Sequence, residues 1–128
     1  MFKVLISPQT FKESLDGMDV AIAIRQGLEK SIDGVESICL PVADGGDGTI
    51  EALVKSSNGS FMTTSVLNPL GVPIDAVWGV MGDGVTAVIE MARASGLALL
   101  SDNERDPRYT TTFGTGQLIY EAIQRGYK

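Results

Sequence analysis

Histidine is absent from this 128-residue sequence, and cysteine occurs once, at Cys39. Without an imidazole the chain has no His-based acid–base catalyst and lacks the commonest zinc ligand. A single thiol excludes an internal disulfide framework. Cations are scarce, with 10 Lys+Arg against 16 Asp+Glu and a net charge of −6. That balance argues against nucleic acid, whose phosphates demand clustered Lys and Arg, and against an anionic membrane surface. No run approaches the roughly 18 apolar residues that a membrane helix needs. The opening segment 1–8 is too short and too soon polar for a signal peptide. Together these absences predict a cytoplasmic chain.

The composition that remains, 44% apolar and 20% charged, suits a globular domain rather than a disordered one. The length suffices for one small domain with its own core and falls short of two full ones. Residues 3–7 (Lys-Val-Leu-Ile-Ser) form a short β-branched run that predicts a buried strand. After the polar stretch 8–17, Asp16 is placed to cap a helix over 18–31, with Val20, Ile24 and Leu28 repeating along one face. Residues 35–42 predict a second strand, within which Cys39 belongs to the core. The loop 43–49 follows, then a helix to about residue 57 with Ile50, Leu53 and Val54 on one face. Strand, helix, strand, helix implies a parallel pair joined by a crossover helix, and hence an α/β layered fold. In such sheets ligands gather at the carboxyl ends of strands. The loops after the first two strands are therefore expected at one edge.

From residue 58 the texture changes. Residues 60–67, 73–80 and 85–91 predict three strands separated by tight turns, an antiparallel meander with little sequence left to cover its apolar face. The 92–100 segment suits a short helix broken at Gly96, and 114–125 a longer helix carrying Leu118, Ile119, Ala122 and Ile123. A helix followed by Gly usually leads into another strand. The sequence thus reads as the front of something larger.

Three loops carry candidate chemistry. Asp44-Gly45-Gly46-Asp47-Gly48-Thr49 brings three glycines to the start of a helix, where backbone N–H groups and the helix dipole suit an anion, or two carboxylates suit Mg²⁺. It has neither the Asp spacing and twelfth-position Glu of an EF-hand nor the Gly-Lys-Ser/Thr of a Walker A loop. The 7–14 loop offers Lys12 as a point charge and the hydroxyls of Ser7, Thr10 and Ser14. The 110–116 run places Thr111, Thr112, Gly114 and Thr115 at a helix start. Glu90, inside the apolar run Ala-Val-Ile-Glu-Met-Ala, belongs either to a solvated face or to a cleft. Trp78 and the methionines read as packing. No nucleophile–base pair stands out, and the set suits positioning of charged oxygens, as in phosphoryl transfer, more than acyl transfer.

Five stretches resemble the bacterial glycerate kinase family in order and spacing. They are Ser-Pro-Gln-Thr-Phe-Lys-Glu-Ser-Leu (7–15), Pro-Val-Ala-Asp-Gly-Gly-Asp-Gly-Thr-Ile-Glu-Ala (41–52), Asn-Pro-Leu-Gly with Trp-Gly-Val-Met-Gly-Asp-Gly (68–71, 78–84), Ala-Val-Ile-Glu-Met-Ala-Arg-Ala-Ser-Gly-Leu (87–97) and Thr-Thr-Phe-Gly-Thr-Gly-Gln-Leu-Ile (111–119). The resemblance implies an ATP- and Mg²⁺-dependent kinase acting on D-glycerate, with its active site between a flavodoxin-like domain and an α/β domain inserted into it. Residues 1–59 would begin the first domain and 60–128 the second. The Gly-Ser-Ala-Thr-Asn-Asp-Gly-Gly motif expected next, and the later segments, are absent, so the likeness covers only the family's N-terminal part. A separate C-terminal chain would then be a partner. By this resemblance Lys12 and Asp44 would be catalytic. Ser7, Ser14, Gly45, Gly46, Asp47, Gly48, Thr49, Glu90, Thr111, Thr112, Gly114 and Thr115 would bind substrate, with Asp44 and Asp47 at the metal. Gln9 stands where the family usually has Asp, Asp47 where Glu is usual, and Gln117 where Glu is usual. The first change removes a carboxylate, and the second shortens the reach of one by a methylene.

Overall fold

The structure, a computed structural model, describes residues 2–11 and 14–128. The chain divides into two compact units, Met1–Ala52 and Leu53–Lys128.

In the first unit β1 (Lys3–Ile6) and β2 (Glu36–Cys39) pair in parallel, with Lys3 opposite Glu36 and Ile6 opposite Cys39. Helix α1 (Gly17–Ser31) makes the crossover. It starts where expected, because the Asp16 carboxylate accepts the Asp19 N–H at 2.9 Å and satisfies one of the orphan donors of the first turn. Val20 and Ala21 of α1 are buried, and the Cys39 thiol lies 3.6 Å from the Ala21 carbonyl. Cys39 is nevertheless only half-buried, and Ile24, expected on the buried stripe, is exposed. A two-stranded sheet is too narrow to cover a four-turn helix along its length. Helix α2 (Thr49–Ser56) follows the Gly-rich loop and continues past Ala52, the last residue of this unit, with Ile50 and Val54 buried.

The second unit is built on β3 (Ser60–Leu67), β4 (Pro73–Val80) and β5 (Ala87–Val88), an antiparallel meander in that spatial order. Met62 faces Trp78, Thr64 faces Ala76 and Val66 faces Ile74 across the first hairpin. Alternation puts these residues on one side of the sheet. That side is not bare, contrary to the sequence expectation. Helices α3 (Met91–Ser95) and α4 (Phe113–Gln124) lie on it and close a core of Val66, Ala76, Trp78, Val80, Ala94, Leu118 and Ala122. Trp78 is fully buried, and its indole N–H donates to Thr64 Oγ1 at 3.0 Å. The Tyr127 ring meets Trp78 edge-on at 5.6 Å.

The third strand is shorter than the 85–91 run suggested. Only Val88 and Ala87 pair with β4, opposite Gly79 and Val80, and the chain then turns into α3. The Asp83 carboxylate closes the intervening turn. It accepts the Thr86 hydroxyl and the Thr86 and Val85 N–H groups, which hold its pKa below the usual value, the Thr86 hydroxyl first among them. A short 3₁₀ turn, Leu97–Leu99, follows Gly96.

Leu118 is fully buried among these elements. Leu118→Ala is expected to lower stability by about 2–5 kcal/mol, because it removes contacts and leaves a cavity. The exposed Tyr120→Ala should stay within about 0.5 kcal/mol. Urea unfolding followed by Trp78 fluorescence separates the two; equal midpoints would contradict the core assignment.

Candidate functional site

In the first unit the parallel register fixes the site. β1 and β2 run the same way, so the loops that follow them leave from the same edge. Side chains and backbone then tie the two loops together. The Ser7 hydroxyl donates to the Leu40 carbonyl at 2.8 Å, and the Val42 N–H donates to the Pro8 carbonyl at 3.1 Å. Farther out, the Thr10 hydroxyl donates to the Asp47 carbonyl at 3.3 Å. The Ser14 and Leu15 N–H groups donate to the Phe11 carbonyl, and the Phe11 N–H donates to the Leu15 carbonyl. Lys12 lies outside the described residues, so its charge is not placed.

The Gly-rich loop is shaped from within. Asp44 Oδ1 accepts the Gly46 N–H at 3.1 Å, and the Thr49 hydroxyl donates to the Gly46 carbonyl at 2.7 Å. Gly45 and Gly48 have φ of 97° and 90°, a left-handed conformation that side chains with a Cβ disfavour. This explains why glycine occupies these two positions. Asp44, Gly45, Gly46 and Asp47 are all exposed. Two exposed carboxylates in a loop at a helix start can hold a cation or orient hydroxyl groups. Among the described residues no three carboxylates or thiols gather. The donor set does not fit an all-protein cage; Asp44 and Asp47 would hold a Mg²⁺ ion only alongside substrate oxygens.

In the second unit Thr110, Thr111 and Thr112 line a cleft of about 360 Å³ together with Pro69, Ser95, Leu97 and Leu100. The threonine run is held against the β3–β4 turn. The Thr111 N–H donates to the Pro69 carbonyl at 3.0 Å, and Gln117 Oε1 accepts the Leu67 N–H at 2.8 Å. Gly114 is buried so close to this turn that a Cβ there would lie 1.8 Å from the Leu67 carbonyl oxygen. Thr115 and Ser95 share a hydrogen bond of 2.7 Å between their hydroxyls, linking α4 to α3. Thr112 sits at the N-cap of α4.

Glu90 is not on a strand. It precedes α3 as its N-cap residue, is 3% exposed, and meets Arg93 Nε at 3.2 Å. Burial of that carboxylate is tolerable because a guanidinium is beside it. Glu90 does not line the threonine cleft. Sequence reasoning overlooked Ser95, Pro69 and the Gln117 tether. The Glu90–Arg93 pair alone had a readable signal, its i,i+3 spacing.

The architecture defines a class: a mixed α/β chain, with a parallel pair whose carbonyl-end loops carry acidic and glycine-rich sequence, followed by an antiparallel sheet backed by helices. Its residues 4–128 match the model of the glycerate kinase family, and the chain belongs to that family. It is 49% identical to the glycerate kinase of Bacillus subtilis (strain 168) and 45% identical to the glycerate 2-kinase of Escherichia coli (strain K12). Each match covers 97% of this chain and 32% of the relative. A solved Salmonella typhimurium LT2 structure carrying the provisional name glycerate kinase 2 superposes with a TM-score of 0.70 at 42% identity, over 99% of this chain and 34% of that one. The chain thus spans about a third of the length of the relatives it matches.

The Gln117 tether gives a local test. Gln117→Leu strands the half-buried Leu67 N–H and is expected to cost about 1–3 kcal/mol, whereas Gln117→Glu keeps an acceptor and should cost less. The Leu67 amide should exchange at least about tenfold faster in the Leu variant. Unchanged exchange would show that the bond is not made.

Proposed function

We propose that this chain is the N-terminal part of an ATP- and Mg²⁺-dependent kinase that phosphorylates D-glycerate, acting in the cytoplasm. Residues 1–59 begin its first domain and 60–128 its inserted one. The observation that carries the proposal is the Thr10–Asp47 bond, which holds the two carbonyl-end loops of the first unit side by side. Membership of the glycerate kinase family supplies the reaction class.

In this reading Asp44 and Asp47 orient the glycerate hydroxyls and supply the protein's oxygen ligands to Mg²⁺. Gly45, Gly46 and Gly48 let backbone approach the substrate, and Thr49 fixes the loop at the helix start. Lys12 and Ser14 bind the acid or phosphate oxygens, and Ser7 holds the two strand ends at working distance. In the second unit Thr111, Thr112, Gly114 and Thr115 contribute hydroxyl and N–H donors, with Glu90 holding Arg93 in place. Bound Mg²⁺ would offset charge on the phosphate oxygens. The glycerate hydroxyl oxygen forms the new bond to the γ-phosphorus, the bond to the ADP oxygen breaks, and Asp44 accepts the hydroxyl proton.

A third of a kinase does not by itself exclude water or close over a nucleotide. The chain alone is therefore expected to be inactive and to need the remaining polypeptide. A coupled ADP-release assay with D-glycerate compares this chain alone with the same chain joined to the remaining two thirds of the Bacillus subtilis relative. Turnover is expected only for the joined protein. Asp44→Asn in that protein should lower kcat by about 10²-fold or more, as loss of a proton acceptor does. Robust turnover by the short chain, or an unaffected Asp44→Asn variant, would contradict the proposal.

A further inference from the structure

The threonine cleft of the second unit is lined by two kinds of group. Pro69, Leu97 and Leu100 are aliphatic, and Ser95, Thr110, Thr111 and Thr112 carry hydroxyls. No charged side chain is among these residues. The aliphatic part is held in place. Pro69 and Leu100 are buried, and the Leu100 N–H donates to the Leu97 carbonyl at 3.0 Å. The hydroxyl part is held as well. Ser95 is fixed by its 2.7 Å bond to Thr115, and Thr111 Oγ1 accepts the Phe113 N–H at 3.2 Å. The start of α4 is a poor anion site, because the Phe113 and Thr115 N–H groups already donate, to Thr111 Oγ1 and to the Thr112 carbonyl. A phosphate or carboxylate entering this cleft would leave water without meeting a counter-charge, which is costly. An uncharged ligand escapes that cost.

The volume of about 360 Å³ falls at the lower end of small-molecule pockets, which run from about 300 to 1,000 Å³. Such pockets are mostly apolar, with a few hydrogen-bonding groups that fix orientation. A hydroxyl both donates and accepts, so these residues suit a ring edged with nitrogen atoms. The aliphatic groups suit its flat faces. D-Glycerate, small and anionic, matches neither feature. We infer that this cleft receives the uncharged nucleoside end of ATP, and that the charged groups of both substrates bind elsewhere. The inference rests on the ATP-dependent kinase reading and adds which residues take the base.

Methyl- and amide-resolved nuclear magnetic resonance of this chain tests it, with adenosine, MgATP and D-glycerate as separate probes. Adenosine and MgATP should each shift the Leu97 and Leu100 methyls and the Thr111 amide along one saturable curve. D-Glycerate should leave them still. Leu97 is 51% exposed, so Leu97→Asp should keep the far-UV circular dichroism of the chain. The dissociation constant for adenosine should rise about tenfold or more in that variant, because the ligand must then strip water from a carboxylate. Ser65→Asp, exposed on β3, should bind adenosine as the parent does. In the chain joined to the remaining two thirds of the Bacillus subtilis relative, Leu97→Asp should raise the KM for ATP and leave that for D-glycerate unchanged. Leu97 and Leu100 methyls that ignore adenosine, or a KM rise confined to D-glycerate, overturn the inference and leave the kinase reading standing. A joined protein that turns over no D-glycerate removes the kinase reading on which the inference rests, whatever the methyls do.

Discussion

Four residues of parallel register, Lys3–Ile6 against Glu36–Cys39, are the constraint on which the first unit depends. Parallel direction obliges both strands to release their loops at one edge. Once there, the loops are close enough for short polar contacts to join them: Ser7 to Leu40, Pro8 to Val42, and Thr10 to Asp47. None of these bonds is strong alone, since an exposed hydrogen bond contributes about 1 kcal/mol or less net. Their value is geometric. They hold an acidic, glycine-rich turn against a hydroxyl-bearing one. Placing small charged oxygens demands that kind of pre-set arrangement, because positional error is costly in group transfer.

The second unit solves a different problem. Its sheet is antiparallel and short on one edge, so α3 and α4 must supply the other half of the core around Trp78. The same packing positions the threonine run. Gly114 can enter against the Leu67 carbonyl only because it has no side chain, and Gln117 reaches the neighbouring N–H. Core and cleft therefore share elements rather than residues: α3, the start of α4 and the β3–β4 hairpin serve both.

Much of the order of elements could be read from the sequence, because periodicity is local. Val20 and Ala21, the Asp16 cap and the alternation in 60–67 and 73–80 each act within a turn or a strand. The failures have a common cause, which is that distant partners decide them. The run Ala-Val-Ile-Glu-Met-Ala has the pattern of a strand, yet β4 offers pairing only to Ala87 and Val88, so Glu90 leaves the sheet for a helix start. The helices that cover the meander, α3 and α4, are legible as helices, but their return across β3 and β4 is set by long-range packing that no local pattern shows. At the candidate site the glycine and carboxylate composition of 44–49 was legible. The Thr10–Asp47 contact, 37 residues apart, and the Gln117–Leu67 tether, 50 apart, were not. Nor was the exposure of Leu5 and Ile38, whose composition alone suggests burial.

The central claim is that the loops at 7–14 and 44–49 form one binding surface for a small hydroxy acid. Nuclear magnetic resonance of the ¹⁵N-labelled chain, titrated with D-glycerate in the presence of Mg²⁺, tests it most directly. The amides of Thr10, Gly45, Gly46 and Gly48 should shift together along one saturable curve, and Thr10→Val should weaken the response of the glycines as well as its own. Shifts confined to one loop, or glycine responses indifferent to Thr10, would contradict it.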